Sequence, residues 1–170
     1  MPFCFLYGGV ALTLALGIDP GIATTGYGLV RMLDDGGLEA VSFGVIVTPP
    51  AVPMHKRLWM LHDDLTKLIS DCHPDTCAVE KLFFQRNVST AIAVGEARGV
   101  VLLAIAAAGL DVAEYTPNEV KQAVAGYGSA QKRQVQEMVR TLLGLPDIPK
   151  PDDAADALAI AITHLNTKHF

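Results

Sequence analysis

Leu16-Gly17-Ile18-Asp19-Pro20-Gly21 decides how this chain is read. Thr13 to Ile18 is apolar on both faces, the pattern of a central strand buried between layers. The strand closes on an acid, and Pro20-Gly21 turns the chain at once. A carboxylate at the end of a buried strand stands where a sheet opens onto its substrate. Ala78-Val79-Glu80 repeats the arrangement, and Asp153-Ala154-Ala155-Asp156 sets two more acids at i and i+3, on one face of a helix.

Three distant stretches thus bring forward four carboxylates, which repel one another if the fold gathers them. A raised pKa or bound divalent cations relieves that repulsion, and four acids suit two Mg²⁺ ions that also bind substrate phosphate. The residue types point to a two-metal nuclease. Asp152 either caps the last helix or, at i−4 to Asp156, substitutes for a ligand; capping is the reading taken.

Working outward, Thr13–Asp19, Gly26–Met32 and Leu38–Thr48 are predicted strands, the last two joined by the hairpin signal Asp34-Asp35-Gly36-Gly37. Leu58, Leu61, Leu65, Leu68 and Ile69 recur at helical spacing, so 53–72 is an amphipathic helix. Thr76–Glu80 and Val112–Tyr115 are short strands flanking an apolar helix over 89–108. Pro117 opens a helix that Gly126-Tyr127-Gly128-Ser129 interrupts, and helices over 130–143 and 153–166 follow. The order predicts an α/β fold, a five-stranded mixed sheet flanked by helices on both faces.

At 170 residues and 51% hydrophobic content the chain fits one domain with a sizeable core. Residues 13–168 are taken as that domain and 1–12 as an N-terminal extension. Residues 1–18 are uncharged and mostly apolar, but no Lys or Arg precedes Arg31, so neither a signal peptide nor a membrane anchor is expected. Cys4, Cys72 and Cys77 form no CxxC pair, and their odd number fits a reducing cytoplasm. Cys72-His73 and Cys77 are read as ordinary helix-end and strand residues, not a metal site. The net charge of −5 is uneven: residues 81–150 carry eight basic and six acidic side chains, leaving −7 on the remainder. Four of those remaining acids are the proposed ligands, whose charge two divalent ions would offset.

The motifs in order are Leu16-Gly17-Ile18-Asp19-Pro20-Gly21 with Thr25-Gly26-Tyr27-Gly28, then Val79-Glu80, Gly95-Glu96-Ala97-Arg98-Gly99 and Val120-Lys121-Gln122. Gly126-Tyr127-Gly128-Ser129-Ala130-Gln131-Lys132, Met138-Val139-Arg140-Thr141-Leu142-Leu143 and Asp153-Ala154-Ala155-Asp156-Ala157-Leu158-Ala159 complete them. Together they resemble the RuvC family of Holliday junction resolvases, from about Leu14 to His164. The resemblance implies an RNase H-like fold, a homodimer, a branch-migration helicase partner, and Mg²⁺-dependent nicking of four-way DNA junctions, with Mn²⁺ as a plausible substitute. It implies catalytic, metal-binding roles for Asp19, Glu80, Asp153 and Asp156, and places Lys121 and Lys132 near the scissile phosphate. Phe83 would stack on junction bases. The N-terminal dozen residues exceed the family's usual start, and the chain stops soon after its last helix without a basic tail.

Beside the resemblance, Phe83-Phe84 lies in a presumed loop between Lys81 and Arg86, and aromatics interleaved with cations suit unstacked bases. Gly128 and Ser129 lie in a loop whose backbone can approach DNA closely. Asp19-Pro20-Gly21 also resembles the phosphate hairpin of actin-like ATPases and sugar kinases, but 170 residues leave no room for their second lobe. The acids and turns would also suit a catalytically silent junction-binding module, or an RNase H-like nuclease acting on RNA ends. Retention of all four acids speaks against the silent module. Lys121, Lys132 and the aromatic loop favour branched DNA over RNA ends.

Overall fold

The computed structural model describes residues 13–81 and 88–167. Strands β1 (Leu14–Asp19), β2 (Thr24–Met32) and β3 (Leu38–Val47) lead into helix α1 (Met54–Cys72). Strand β4 (Thr76–Glu80), helix α2 (Val88–Ala107) and strand β5 (Val112–Tyr115) follow, and α3 (Pro117–Ala125), α4 (Lys132–Leu142) and α5 (Asp152–Thr167) end the order. The sheet runs β3-β2-β1-β4-β5. β1, β2 and β3 are antiparallel, whereas β4 is parallel to β1 and β5 to β4. The expected five-stranded mixed sheet is therefore present, with β1 at its centre.

Alternation along the strands sends two different residue sets to the two faces. Leu14, Leu16, Ile18, Leu29, Cys77 and Val79 pack on one side against Leu61, Leu65 and Ile69 of α1 and Ala97, Val101, Ala104 and Ile105 of α2. Ala15, Val30 and Ala78 face the other way, into a core with α3, α4 and α5. Burial pushes the Cys77 thiol up to about 12.

Gly17 pairs with Gly28 and Asp19 with Gly26 on the α5 face. These glycines let the helix backbone rest on the sheet. A methyl group on Gly17 would stand 2.2 Å from the Ala157 carbonyl oxygen, and one on Gly26 only 1.9 Å from that of Asp153. On Gly28 it would meet the Leu158 nitrogen at 2.8 Å. The absence of three side chains thus fixes how close α5, and the acids on it, come to β1.

Four expected helix starts move, α1 to Met54 and α2 to Val88 by one residue each, and α4 and α5 with a physical cause. Gln131 is extended, so α4 begins at Lys132 instead of Ala130; the Gln134 side-chain oxygen accepts the Gln131 N–H at 2.8 Å, and Ala130 is buried at the entrance. Asp152 is the first residue of α5, and its carboxylate turns toward α4 instead of capping its own helix. Gly126 ends α3 at φ 88°, the left-handed conformation that glycine adopts without steric cost. Arg98 of α2 reaches Glu114 of β5, tying that helix to the sheet edge.

Candidate active site

β1 and β4 are parallel neighbours in which Ile18 pairs with Val79, so Asp19 and Glu80 leave the sheet side by side at its carboxyl edge. Both follow α5-facing residues at period two, Gly17 and Ala78. Asp153 reaches the same place from above, its Cβ 3.2 Å from a methyl position on Gly26, the partner of Asp19. Asp156 follows one turn along α5.

The acids share one electrostatic neighbourhood. Burial, reinforced by the charges of Glu80, Asp156 and Asp153 and opposed by Lys132, pushes the Asp19 carboxyl up to about 8. Burial and Asp156 raise Glu80, while Lys132 and Lys121 pull it back. Burial also raises Asp156, against its bond to Lys132. Among the described residues no three His, Cys, Asp or Glu side chains close into a tight ligand cluster. The carboxylates line an open edge, as expected of a site whose ions must also hold substrate oxygens. The donor set fits a hard divalent cation: four carboxylates from three elements, one of them half-buried among the charges of the other three.

Lys132 projects from the first residue of α4 to Asp156 Oδ2 at 3.1 Å and Asp152 Oδ2 at 3.2 Å. Burial works to lower its pKa, but the bonds to the two aspartates outweigh it and the net shift is upward. Lys121 is half-buried on α3, near enough to lower Glu80. Gly128 and Ser129 lie in the connection from α3 to α4, Ser129 exposed. Lys81 is exposed directly after β4, its N–H donating to the Tyr115 carbonyl at 2.7 Å. Phe83, Phe84 and Arg86 lie outside the described residues.

The turn after Asp19 is held by Thr25 of the quoted motif together with Thr48 and Arg57, which no sequence motif singles out. Thr25 Oγ1 donates to the Gly21 carbonyl at 2.6 Å and accepts the Gly21 N–H at 3.3 Å. Thr48 Oγ1 donates to the Ile22 carbonyl. Arg57 of α1 is buried without a carboxylate among its hydrogen-bond partners: it donates to Thr48 Oγ1 at 3.0 Å, the Ile22 carbonyl at 3.1 Å and the Thr48 carbonyl at 3.2 Å. These acceptors fix the loop that carries the chain away from Asp19. In sequence, Arg57 is a basic residue one turn from the start of an amphipathic helix, a pattern that reads as a solvated face.

A mixed five-stranded sheet with acids at the carboxyl edge of its central strands and on the helix crossing them is the arrangement of an RNase H-like domain. The family model for crossover junction endodeoxyribonuclease RuvC matches residues 15–164, and the chain belongs to the RuvC family. A crossover junction endodeoxyribonuclease RuvC from Chloroflexus aggregans is 59% identical over 153 residues, covering 90% of this chain and 93% of the relative. The Thermus thermophilus RuvC structure superposes with a TM-score of 0.83 at 41% identity, over 89% of this chain and 93% of that one. T. thermophilus RuvC in complex with Holliday junction substrate gives 0.82 at 38%, covering 89% and 92%. The RNase H-like fold expected from the motifs is thereby established.

Proposed function

We propose that this protein resolves four-way DNA junctions by paired, symmetric nicks in recombination and repair, with Asp19, Glu80, Asp153 and Asp156 holding two divalent ions. The observation that carries the reading is the convergence of these acids on one sheet edge, with a half-buried Asp19 at their centre. Asp19 would be the central member of the set that holds the ions, because Glu80, Asp156 and Asp153 all act on it. When bound, such ions supply an activated water and neutralise charge on the phosphate and the departing 3′ oxygen. Mg²⁺ is the expected ion, with Mn²⁺ as a substitute.

The chain's own cations complete the site. Lys121 and Lys132 face the carboxylates from α3 and α4 and are suited to contact the scissile phosphate. Lys81 and Arg86 flank Phe83 and Phe84; the Phe83 ring would stack on bases unpaired at the crossover, at about 1–3 kcal/mol per base, with Phe84 packed beside it or sharing that contact. Gly128 and Ser129 would meet the backbone. The working unit is the single domain 13–168, in the cytoplasm, with a branch-migration helicase as partner.

Paired cuts in strands of like polarity require two sites related by two-fold symmetry, which a homodimer provides. Helix α2 is the candidate surface. Its window Thr90–Ala107 is apolar enough to cross a membrane by composition, yet one face packs into the core. The opposite face carries Ile92 and Leu103, 59% and 61% exposed, and Gly99, where an added methyl would meet nothing. Exposed apolar side chains with a small residue between them suit close approach of a second copy, and the exposed Glu96 on the same face would lie at or beside the contact.

The test is Asp19→Asn, with cleavage and gel-shift assays on one preparation. Nicking should vanish while junction binding persists or tightens, since a ligand is lost but the basic surface is not. Cleavage above a few per cent of wild type would overturn the assignment.

A further inference from the structure

Lys132 and Gln136 stand one turn apart on α4, and Asp152 and Asp156 one turn apart on α5, so the two helices meet in a two-rung polar ladder. Gln136 Nε2 donates to Asp152 Oδ1 at 3.1 Å. The other Asp152 oxygen takes Lys132 at 3.2 Å, and the same ammonium bonds Asp156 at 3.1 Å. Asp156 is an acid that also raises Asp19 and Glu80, whereas Asp152 is exposed and adds its own repulsion directly to Asp156. One lysine is therefore divided between an acid of the site and an acid beside it, and the second acid is itself oriented by a glutamine.

We propose that Asp152 is a positioning residue that draws the Lys132 ammonium partly off Asp156, leaving that carboxylate available to a divalent cation while keeping the lysine at the mouth of the site. The proposal rests on the reading of Asp156 as a metal ligand. With Asp152 present, a cation arriving at Asp156 displaces half of a shared ion pair, and Lys132 keeps a fixed anchor. Without it, Lys132 pairs with Asp156 alone, and the arriving cation must break the whole interaction and leave the lysine unheld. Asp152 thus lowers the electrostatic competition at Asp156 through Lys132, not by ligation. Gln136 gives the arrangement its direction, since it fixes the oxygen that Lys132 does not use.

A double-mutant cycle read by calorimetric titration of Mn²⁺ into the DNA-free protein separates this from a general charge effect. Asp152→Asn should weaken Mn²⁺ binding about two- to fivefold in the wild-type background, the range expected for rebalancing an exposed ion pair. Lys132→Met should tighten binding, and Asp152→Asn made on top of it should cost distinctly less. All four residues of the ladder's rungs are accessible or half-exposed, and melting curves on the same samples verify that each variant is folded. An equal loss in both backgrounds would mean that Asp152 acts only as a distant negative charge, which overturns the proposal and leaves the metal site intact. Failure of the wild-type protein itself to bind Mn²⁺ would overturn both the proposal and the reading beneath it.

Discussion

The two faces of the central strand use opposite packing rules. Toward α1 and α2, β1 presents Leu14, Leu16 and Ile18, which interlock with Leu61, Leu65 and Val101 as side chains do in any core. Toward α5 it presents Ala15, Gly17 and Asp19, and the helix backbone itself fills the space. The first face supplies stability through buried area; the second gives up side-chain volume so that acids on a helix meet acids on strands. A single strand, read at period two, separates holding the fold together from placing charge.

Substitution on each face should sharpen that contrast. The largest effect falls on the glycine face: in Gly26→Ala the new methyl meets the Asp153 carbonyl oxygen, α5 must shift, and junction cleavage should drop about 100-fold, as an ångström-scale misplacement of reacting groups commonly costs. Steady-state cleavage at saturating Mg²⁺ measures this. Leu61→Ala, on the other face, should cost about 2–5 kcal/mol in denaturant unfolding while the folded fraction cleaves at nearly the wild-type rate. A similar split of losses for both variants would break the distinction.

Arg57→Met probes the turn between the faces. It leaves the Ile22 and Thr48 carbonyls short of a donor, which should cost about 1–3 kcal/mol in chemical denaturation, with a cleavage loss well below that of Gly26→Ala.

The effect with the least bearing on cleavage is a pH dependence of the metal-free protein. Asp19 titrates near 8 in the fold against 3.8 ordinarily, so the folded state holds the proton more tightly. The stability that this confers is complete below about pH 4 and is lost as the pH rises through 8. In EDTA the melting temperature of wild type should fall by about ten degrees relative to Asp19→Asn between pH 5 and 8.5, since about 1.4 kcal/mol is lost per pH unit up to 8. Parallel profiles for the two proteins would show that Asp19 is not buried among like charges.

The acids, strand order and turn are legible in the sequence because each depends on local pattern: an apolar run ending at Asp19 or Glu80, or two acids three apart. The role of Gly17, Gly26 and Gly28 is not, since it needs the β1–β2 register together with the position of a helix some 130 residues later in the chain. Asp152 escapes sequence reasoning for the same cause. Its chemistry as a cap is local, but its partners, Lys132 and Gln136, come from another helix. Arg57 reads as a surface residue because nothing near it in sequence announces that Ile22 and Thr48 will accept its protons. Phe83 and Phe84 lie beyond the described residues, so the stacking role of Phe83 and the supporting one of Phe84 rest on sequence.

That gathered carboxylates on an RNase H-like edge cut branched DNA through divalent ions is most directly tested with the purified protein and a mobile synthetic four-way junction. Strand-specific end labels on a denaturing gel should show paired nicks in two strands of like polarity when Mg²⁺ or Mn²⁺ is present, and none in EDTA. Cleavage undiminished by EDTA, or nicking of linear duplex at the same rate as the junction, would contradict it.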